Sequence, residues 1–364
     1  MNISVIGGGP AGSYCAYLLA KKGHKVELFE RLNQIGNPVQ CTGILSDYFL
    51  KLMPPSKKFV INKINKTRIH APNGEYIETK IKTNYVICRK KFDNFLINKA
   101  KNAGVKIYLN HNLTNIKDNI LFFGEKKKKT NIIVGADGPL STVAKLSGLF
   151  VNRTFLVGTQ VEGYIKKKDN IVDFFPYIGS YAWIVPTDNK HRIGVASYKK
   201  SKKLFDEFTK NLKIKVTEHQ SGIIPIFDPY IKVQKKNIFL VGDAATLNKA
   251  TSGGGINQSL ISAKIVSDCI INNKNYNKEW KKQLFNKLYV HLILHQTMSR
   301  FSDCDWNYLI KIFNEKKMKK ILRDESRDLI IKMMIKIALA KPQLFKFKNK
   351  ITFSELKTYF AKYK

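Results

Sequence analysis

Gly7-Gly8-Gly9-Pro10-Ala11-Gly12 fits G-x-G-x-x-G and is the first stretch of the 364-residue chain whose spacing implies chemistry. In such a run Gly7 permits a tight turn, Gly9 lets backbone approach a pyrophosphate, and Gly12 lets a helix close on a strand. The helix that begins there turns the positive end of its dipole toward the phosphates. Glu30 follows Gly12 by 18 residues, at the end of an apolar run, where a carboxylate can accept ribose hydroxyls. These features imply a dinucleotide site. Gly242-Asp243-Ala244-Ala245 follows the apolar stretch IFLV, and Gly253-Gly254-Gly255-Ile256-Asn257 opens another helical pattern. Asp243 at a strand end can bond ribityl hydroxyls, and the glycines let backbone lie flat against a large ring. N–H groups at Gly255 and Ile256 suit a ring carbonyl that becomes anionic on reduction. A plain nicotinamide site needs neither element, so the two signatures together imply FAD.

These residues need a scaffold, and the patterning supplies one. Residues 3–6 and 25–29 read as strands around a helical stretch at 13–22, the opening of a βαβ unit. Residues 57–85 alternate about Pro72-Asn73-Gly74 as a hairpin. Residues 91–103 form a helical pattern closed by Gly104, and 105–109 a strand. A meander over 110–123 leads to Lys126–Lys129, read as a solvated turn, and 131–134 runs into GADG. From 155 to 198, aromatic and β-branched residues dominate, as in a second, antiparallel sheet. Residues 238–241 return as a buried strand, 255–271 as a helix, and the chain is helix-patterned after 277. The expected class is α/β with an α+β insert. A Rossmann-type FAD domain would be assembled from 1–55, 85–150 and 235–275, an antiparallel-sheet substrate domain from 56–84 and 151–234, and a helical region from 276–364.

Apolar residues make up 44% and aromatics 11%, enough for a packed core, which excludes wholesale disorder. The formal charge of +37 draws on 56 Lys and only 8 Arg, spread along the whole chain. Nucleic-acid readers lean on Arg forks and interleaved aromatics, so the Lys excess reads as an A/T-rich coding habit with a weak membrane-surface component, and no nucleic-acid partner is expected. Five cysteines (15, 41, 88, 269, 304) form neither a CxxC pair nor zinc spacing, which points to a reducing, cytoplasmic setting. No apolar stretch reaches the roughly 18–20 residues of a spanning helix, and the first residues do not look secretory. The histidines give no metal spacing, so no metal is expected. His291 and His295, at i and i+4, read as helix-surface residues. The stretch LIIKMMIKIALA at 329–340 reads as a helix packed on the sheet domain with Lys332 and Lys336 outward, or as a membrane-facing surface.

Further segments give the chain a resemblance to the geranylgeranyl reductases, flavoproteins that share the p-hydroxybenzoate hydroxylase fold. Pro38-Val39-Gln40-Cys41-Thr42-Gly43 is similar to the family's P-x-x-C segment beside the flavin. Arg89 with Phe92-Asp93 matches R-x-x-F-D, and Gly135-Ala136-Asp137-Gly138 with Ser141 matches GADG-x-x-S. Tyr181-Ala182-Trp183-Ile184-Val185-Pro186 resembles Y-x-W-x-F-P, departing at Val185, where Phe is usual, and at Ile178, where a Pro often begins the motif. The tail, from Ser302-Asp303-Cys304-Asp305-Trp306 to Ala340-Lys341-Pro342-Gln343-Leu344, is also similar, so the resemblance runs over nearly the full length.

The resemblance implies that Gly7, Gly9, Ala11 and Gly12 hold the pyrophosphate, and Glu30, with Arg31 beside it, the adenosine end. It implies that Arg89 lies along the phosphate side and the Leu113 backbone near the adenine. Asp243, Gly255 and Ile256 would meet the ribityl chain and ring. Cys41, Thr42 and Gly43 would line the flavin near the substrate. Tyr181 and Trp183 point the same way from one strand and, with Pro186, would wall an apolar tunnel for an isoprenoid. An isolated alkene is poorly electrophilic, so hydride must be matched by a proton, and Cys41 and a bound water are the candidate donors.

The implied activity is FAD-dependent saturation of geranylgeranyl chains, on archaeal-type digeranylgeranylglycerophospholipids. The enzyme would be cytoplasmic and peripheral on the inner face of an anionic membrane. One dinucleotide fingerprint leaves NAD(P)H no Rossmann domain of its own, so electrons would come from a transiently docked nicotinamide or from ferredoxin. The competing readings are a flavin monooxygenase or halogenase-like enzyme acting on an aromatic substrate, and a non-catalytic FAD electron carrier.

Overall fold

The computed structural model describes residues 1–350. Its first sheet has six strands, in the order Gln234–Lys235, Ile238–Leu240, Ile132–Gly135, Asn2–Ile6, Lys25–Phe29 and Lys106–Tyr108. All neighbours run parallel except the two-residue edge strand Gln234–Lys235. The central strands read ISVI and KVELF because the sheet is covered on both sides, by helices and by a small three-stranded sheet whose Phe123 stacks on Phe29. The helix Pro10–Ala20 crosses between the first two of them. Pro10 starts it well, since its fixed φ suits the first helical turn. This helix packs on both Arg89–Asn102 and Ile256–Ile271, which brings three distant segments to one sheet.

The second sheet has eight strands, in the order Lys215–Pro225, Phe155–Tyr164, His191–Ser197, Tyr181–Pro186, Val172–Phe175, Val60–His70, Tyr76–Ile87 and Ile44–Leu45. The hairpin of Val60–His70 and Tyr76–Ile87 turns at residues 72–74, with Gly74 at φ +87°. The sheet is antiparallel except where Val172–Phe175 pairs in parallel with Val60–His70 and joins the two chain segments into one surface. Lys126–Lys129 is a strand of a small three-stranded sheet, not the solvated turn expected. It pairs with Ile120–Phe123, whose residues 121 and 123 are buried, and the turn falls at Gly124, with φ +65°. Lys128 also closes on the buried Glu27 carboxylate at 2.6 Å, so four lysines in a row here form an edge strand with a purpose on its inner side. Helices follow from Tyr276 onward, and among them Ile330–Ala340 matches the amphipathic stretch. Residues 351–364, the end of the helix-patterned region, lie outside the described residues. Among the described residues no helix is long and apolar enough to cross a membrane, and no cluster of His, Cys, Asp or Glu could hold a metal.

Candidate active site

At the end of the first strand the glycines do distinct work. Gly7 sits at φ +104°, and a Cβ there would lie 2.4 Å from the Ala136 carbonyl oxygen. A Cβ on Gly12 would lie 2.0 Å from the Gly7 carbonyl oxygen, so the helix meets the turn backbone to backbone. Gly9 differs: nothing lies within 4 Å of where its Cβ would be. Open space over the second glycine is the space that an approaching phosphate group needs. The Gly8 N–H donates to Glu30 Oε2 at 2.7 Å and the Leu32 N–H to Oε1 at 3.0 Å, fixing the carboxylate beside this loop. Arg31 follows on an exposed bend, while the Leu113 side chain is buried in the core.

A cavity of about 500 Å³ opens next to Pro10 and runs between the two sheets toward the tail helices. It gathers Cys41, Thr42, Gly43, Arg89, Asp243, Gly255, Ile256, Tyr181 and Trp183. Asp243 is enclosed by protein, and burial pushes its carboxyl up to about 6 although Arg89 and Arg153 oppose that shift. No side-chain hydrogen bond to its carboxylate is formed among the described residues. Gly255 precedes the helix Ile256–Ile271, whose first turn has no side-chain cap, and Gly254, Gly255 and Ile256 face the cavity.

The loop at 41–43 is tied down from three sides. Cys41 Sγ accepts the Gly43 N–H at 3.3 Å. The Arg89 guanidinium lies against Cys41 and grips Asp93 through two bonds of 3.0 and 2.9 Å. Burial opposes the Arg89 cation, but Asp93 and Cys41 outweigh it and raise its pKa above the ordinary value. Thr42 Oγ1 donates to Gln160 Oε1 at 2.7 Å, and Trp183 Nε1 donates to the same oxygen at 2.8 Å. Arg192 donates to the carbonyls of Thr42 and Ile87 at 2.7 and 2.9 Å and pairs with Glu162 at 2.9 Å. Gln160 and Arg192 are thus anchors that sequence reasoning missed. With only eight arginines in the chain, a buried-strand Arg was the available signal.

Tyr181 and Trp183 stand 5.8 Å apart, ring centre to ring centre, on one face of their strand, and Val185 continues that face into the cavity. Pro186 does not join them. Strand side chains alternate, so Pro186 falls on the opposite face, where its carbonyl accepts from Asn62 Nδ2 at 3.0 Å. A Cβ on Gly194, in the neighbouring strand, would lie 2.3 Å from Trp183 Cζ2, so that glycine makes room for the indole. The Tyr181 hydroxyl is buried without a hydrogen-bond partner, and burial, with Cys41 and Tyr198 nearby, pushes its pKa up and keeps it protonated.

His291 and His295 are buried, against expectation. The helix Asn286–Met298 packs inward here, and Thr251 Oγ1 and Tyr198 Oη lie 2.8 and 2.6 Å from their ring nitrogens. Burial and Lys249 pull His291 down to about 3 despite Asp328, so it is neutral near pH 7. Beyond it the tail contributes Met298, Leu322, Arg327, Ile330 and Met333 to the wall. No motif marked these residues, and only their place in the fold reveals them.

Residues 5–42 match the model of an NAD(P)-binding Rossmann-like domain. The digeranylgeranylglycerophospholipid reductase of Methanococcus vannielii is 29% identical, over 95% of this chain and 97% of that protein. Among solved structures, a geranylgeranyl bacteriochlorophyll reductase-like protein from Thermoplasma acidophilum superposes with a TM-score of 0.84 at 23% identity, covering 96% of this chain and 99% of that one. The flavin-dependent halogenase CmlS superposes with a TM-score of 0.67 at 16% identity, over 95% of this chain and 78% of that one. Both share the fold; the halogenase is the more distant. The chain is thus similar along nearly its whole length to digeranylgeranylglycerophospholipid reductases, and it shares its fold with a geranylgeranyl reductase-like protein and with a flavin-dependent halogenase.

Proposed function

We propose that the protein saturates the double bonds of geranylgeranyl chains on digeranylgeranylglycerophospholipids, with FAD as its redox cofactor. The supporting observation is that one cavity joins a flavin-compatible polar end to an apolar chamber. At the polar end, Asp243 has a carboxylate free to take ribityl hydroxyls and uncapped N–H groups stand at Gly255 and Ile256, while Pro10 in the lining adjoins Gly9, which faces open space. The residues present fit FAD. In this reading the segments 1–55, 85–150 and 235–275 form the cofactor domain. Segments 56–84 and 151–234 form the substrate domain, closed by the helical region.

Bound FAD, once reduced, supplies hydride. Gly7, Gly9, Ala11 and Gly12 seat the pyrophosphate. Glu30 takes ribose hydroxyls, and Arg31 and the Leu113 backbone flank the adenosine end. Arg89 orients the 41–43 loop and offers positive charge beside the cofactor. Tyr181 and Trp183, with Val185, hold the prenyl chain and exclude water from the reacting carbons; each buried methylene adds roughly 0.8 kcal/mol to binding. Pro186 ends that strand. Cys41, at the junction, supplies the proton directly or positions a water that does. Its Sγ already accepts an N–H, which orients the thiol. The electron source is a docked nicotinamide or a reduced protein such as ferredoxin.

Membrane contact belongs to the same proposal. The helix Ile330–Ala340 turns Ile330 and Met333 into the cavity and exposes Ile331, Ile335 and Leu339 at helical spacing on its outer side, with Lys332 and Lys336 alongside. An apolar stripe among lysines suits an anionic bilayer surface, and the substrate would reach the chamber from there.

The test is anaerobic incubation of the dithionite-reduced holoprotein with digeranylgeranylglycerophospholipid, read by mass spectrometry. Successive gains of two hydrogens per reduced bond are expected. No mass gain from flavin shown to be bound and reduced would transfer the case to an oxygen-using enzyme or a non-catalytic carrier.

A further inference from the structure

Arg327 differs from the other cations around the cavity. Lys249 is closed onto Asp328 at 3.1 Å, and Arg89 onto Asp93. The Arg327 guanidinium has a neutral acceptor, Asn84 Oδ1, at 2.6 Å, and among the described residues no carboxylate lies within ion-pair distance of it. The nearby acids are engaged elsewhere. Asp328 accepts from Lys249, Ser46 and Gln258, and Asp47 accepts from Ser326 Oγ at 2.6 Å. Glu325, Ser326 and Asp328 are buried around it, whereas Arg327 is accessible and lines the cavity, so its free surface faces that space. Enclosure lowers its pKa, with Asp328 and Asp47 opposing the shift. The neighbouring wall at Leu322, Ile330 and Met333 is apolar. A planar fork of N–H donors exposed beside this apolar wall is suited to the oxyanions of a phosphate group.

We propose that Arg327 binds the phosphate of the prenyl substrate, so that the protein selects phosphorylated prenyl lipids over neutral ones. This rests on the prenyl-reductase reading and adds to it the residue that recognises the phosphate.

The test is calorimetric titration of the FAD-loaded protein with geranylgeranyl phosphate, geranylgeraniol and inorganic phosphate, in the wild type, Arg327→Gln and Arg327→Lys. The wild type should bind the prenyl phosphate at least tenfold more tightly than the alcohol, with inorganic phosphate far weaker. Arg327→Gln should remove most of that preference, and Arg327→Lys, which keeps the charge but not the fork, should lie between. If Arg327→Gln does not retain FAD, the ratio in Arg327→Lys decides. Equal losses for phosphate and alcohol, or no preference in the wild type, would overturn the proposal. Inorganic phosphate binding as tightly as the prenyl phosphate would overturn the lipid as the source of the anion. A clear preference, with no reduction of either ligand when the same protein is first reduced with dithionite under anaerobic conditions, would sink the reductase reading and leave the anion site standing.

Discussion

The proposed cofactor end and the proposed prenyl chamber are built by different means. Around Gly7–Gly12 and Gly253–Gly255 the shape is set by backbone, with glycines placed where any side chain would collide or block the approach. In the chamber the shape is set by side chains from distant segments, such as Trp183 over Gly194 and Met333 on a tail helix. Backbone recognition leaves a short motif in the sequence and tolerates almost no substitution. Side-chain recognition gathers residues from distant segments, so a local motif such as Tyr181-Ala182-Trp183 marks only part of it, and it can be retuned one residue at a time.

The sharpest way to break this contrast is Gly12→Val. Its Cβ has no space beside the Gly7 carbonyl, and the colliding atoms are backbone. A loss of several kcal/mol is expected, with FAD-free or insoluble protein; a FAD-loaded variant with an unchanged melting temperature would refute the backbone account. Gly194→Ala probes the other end. The new methyl must displace the Trp183 indole, at about 1–3 kcal/mol. FAD content should hold while KM for the prenyl lipid rises about tenfold, and equal damage to both would erase the distinction.

A pH titration sharpens the cofactor side. Asp243 has its folded pKa raised to about 6, so the folded apoprotein holds a proton that the unfolded chain releases near its ordinary value. Apoprotein stability should therefore fall as pH rises from about 4 to about 6, by at most a few kcal/mol, and Asp243→Asn should flatten that slope. Ribityl hydroxyls donating to the carboxylate favour its charged form, so FAD affinity should strengthen as pH rises through 6, as fluorescence titration can show. The smallest effect belongs to the outer face of the tail helix. Ile335→Glu with Leu339→Glu should leave the melting temperature nearly unchanged, these being exposed positions. Binding to anionic vesicles should weaken several-fold, and in the parent protein that binding should fall with salt. Indifference to both would remove the membrane surface.

What could be read in advance follows the same division. The two glycine signatures, Glu30 and Asp243 pointed to FAD in advance because backbone geometry demands particular residues at particular spacings. Most strands of both sheets were visible from their patterning, but Lys215–Pro225, Ile44–Leu45 and Gln234–Lys235, all at or near sheet edges, were not. Lys126–Lys129 was not, because its inward pairing with Ile120–Phe123 depends on a partner strand and not on its own composition. His291 and His295 looked superficial because helical spacing does not say which face is covered, and the cover is supplied by Thr251 and Tyr198. Pro186 was drawn into the site by its motif, although strand alternation turns it away. Arg327 carries no motif, and its unpaired state exists only once Asp47, Asn84 and Asp328 have converged.

The central claim is that the chamber delivers a prenyl double bond to the flavin. Its most direct test is to reduce the holoprotein anaerobically, add digeranylgeranylglycerophospholipid and follow the absorbance of oxidised flavin. Reoxidation in step with lipid is expected, lost when Tyr181 and Trp183 are both replaced by Ala in protein that keeps its FAD. Flavin that stays reduced until oxygen is admitted would contradict it.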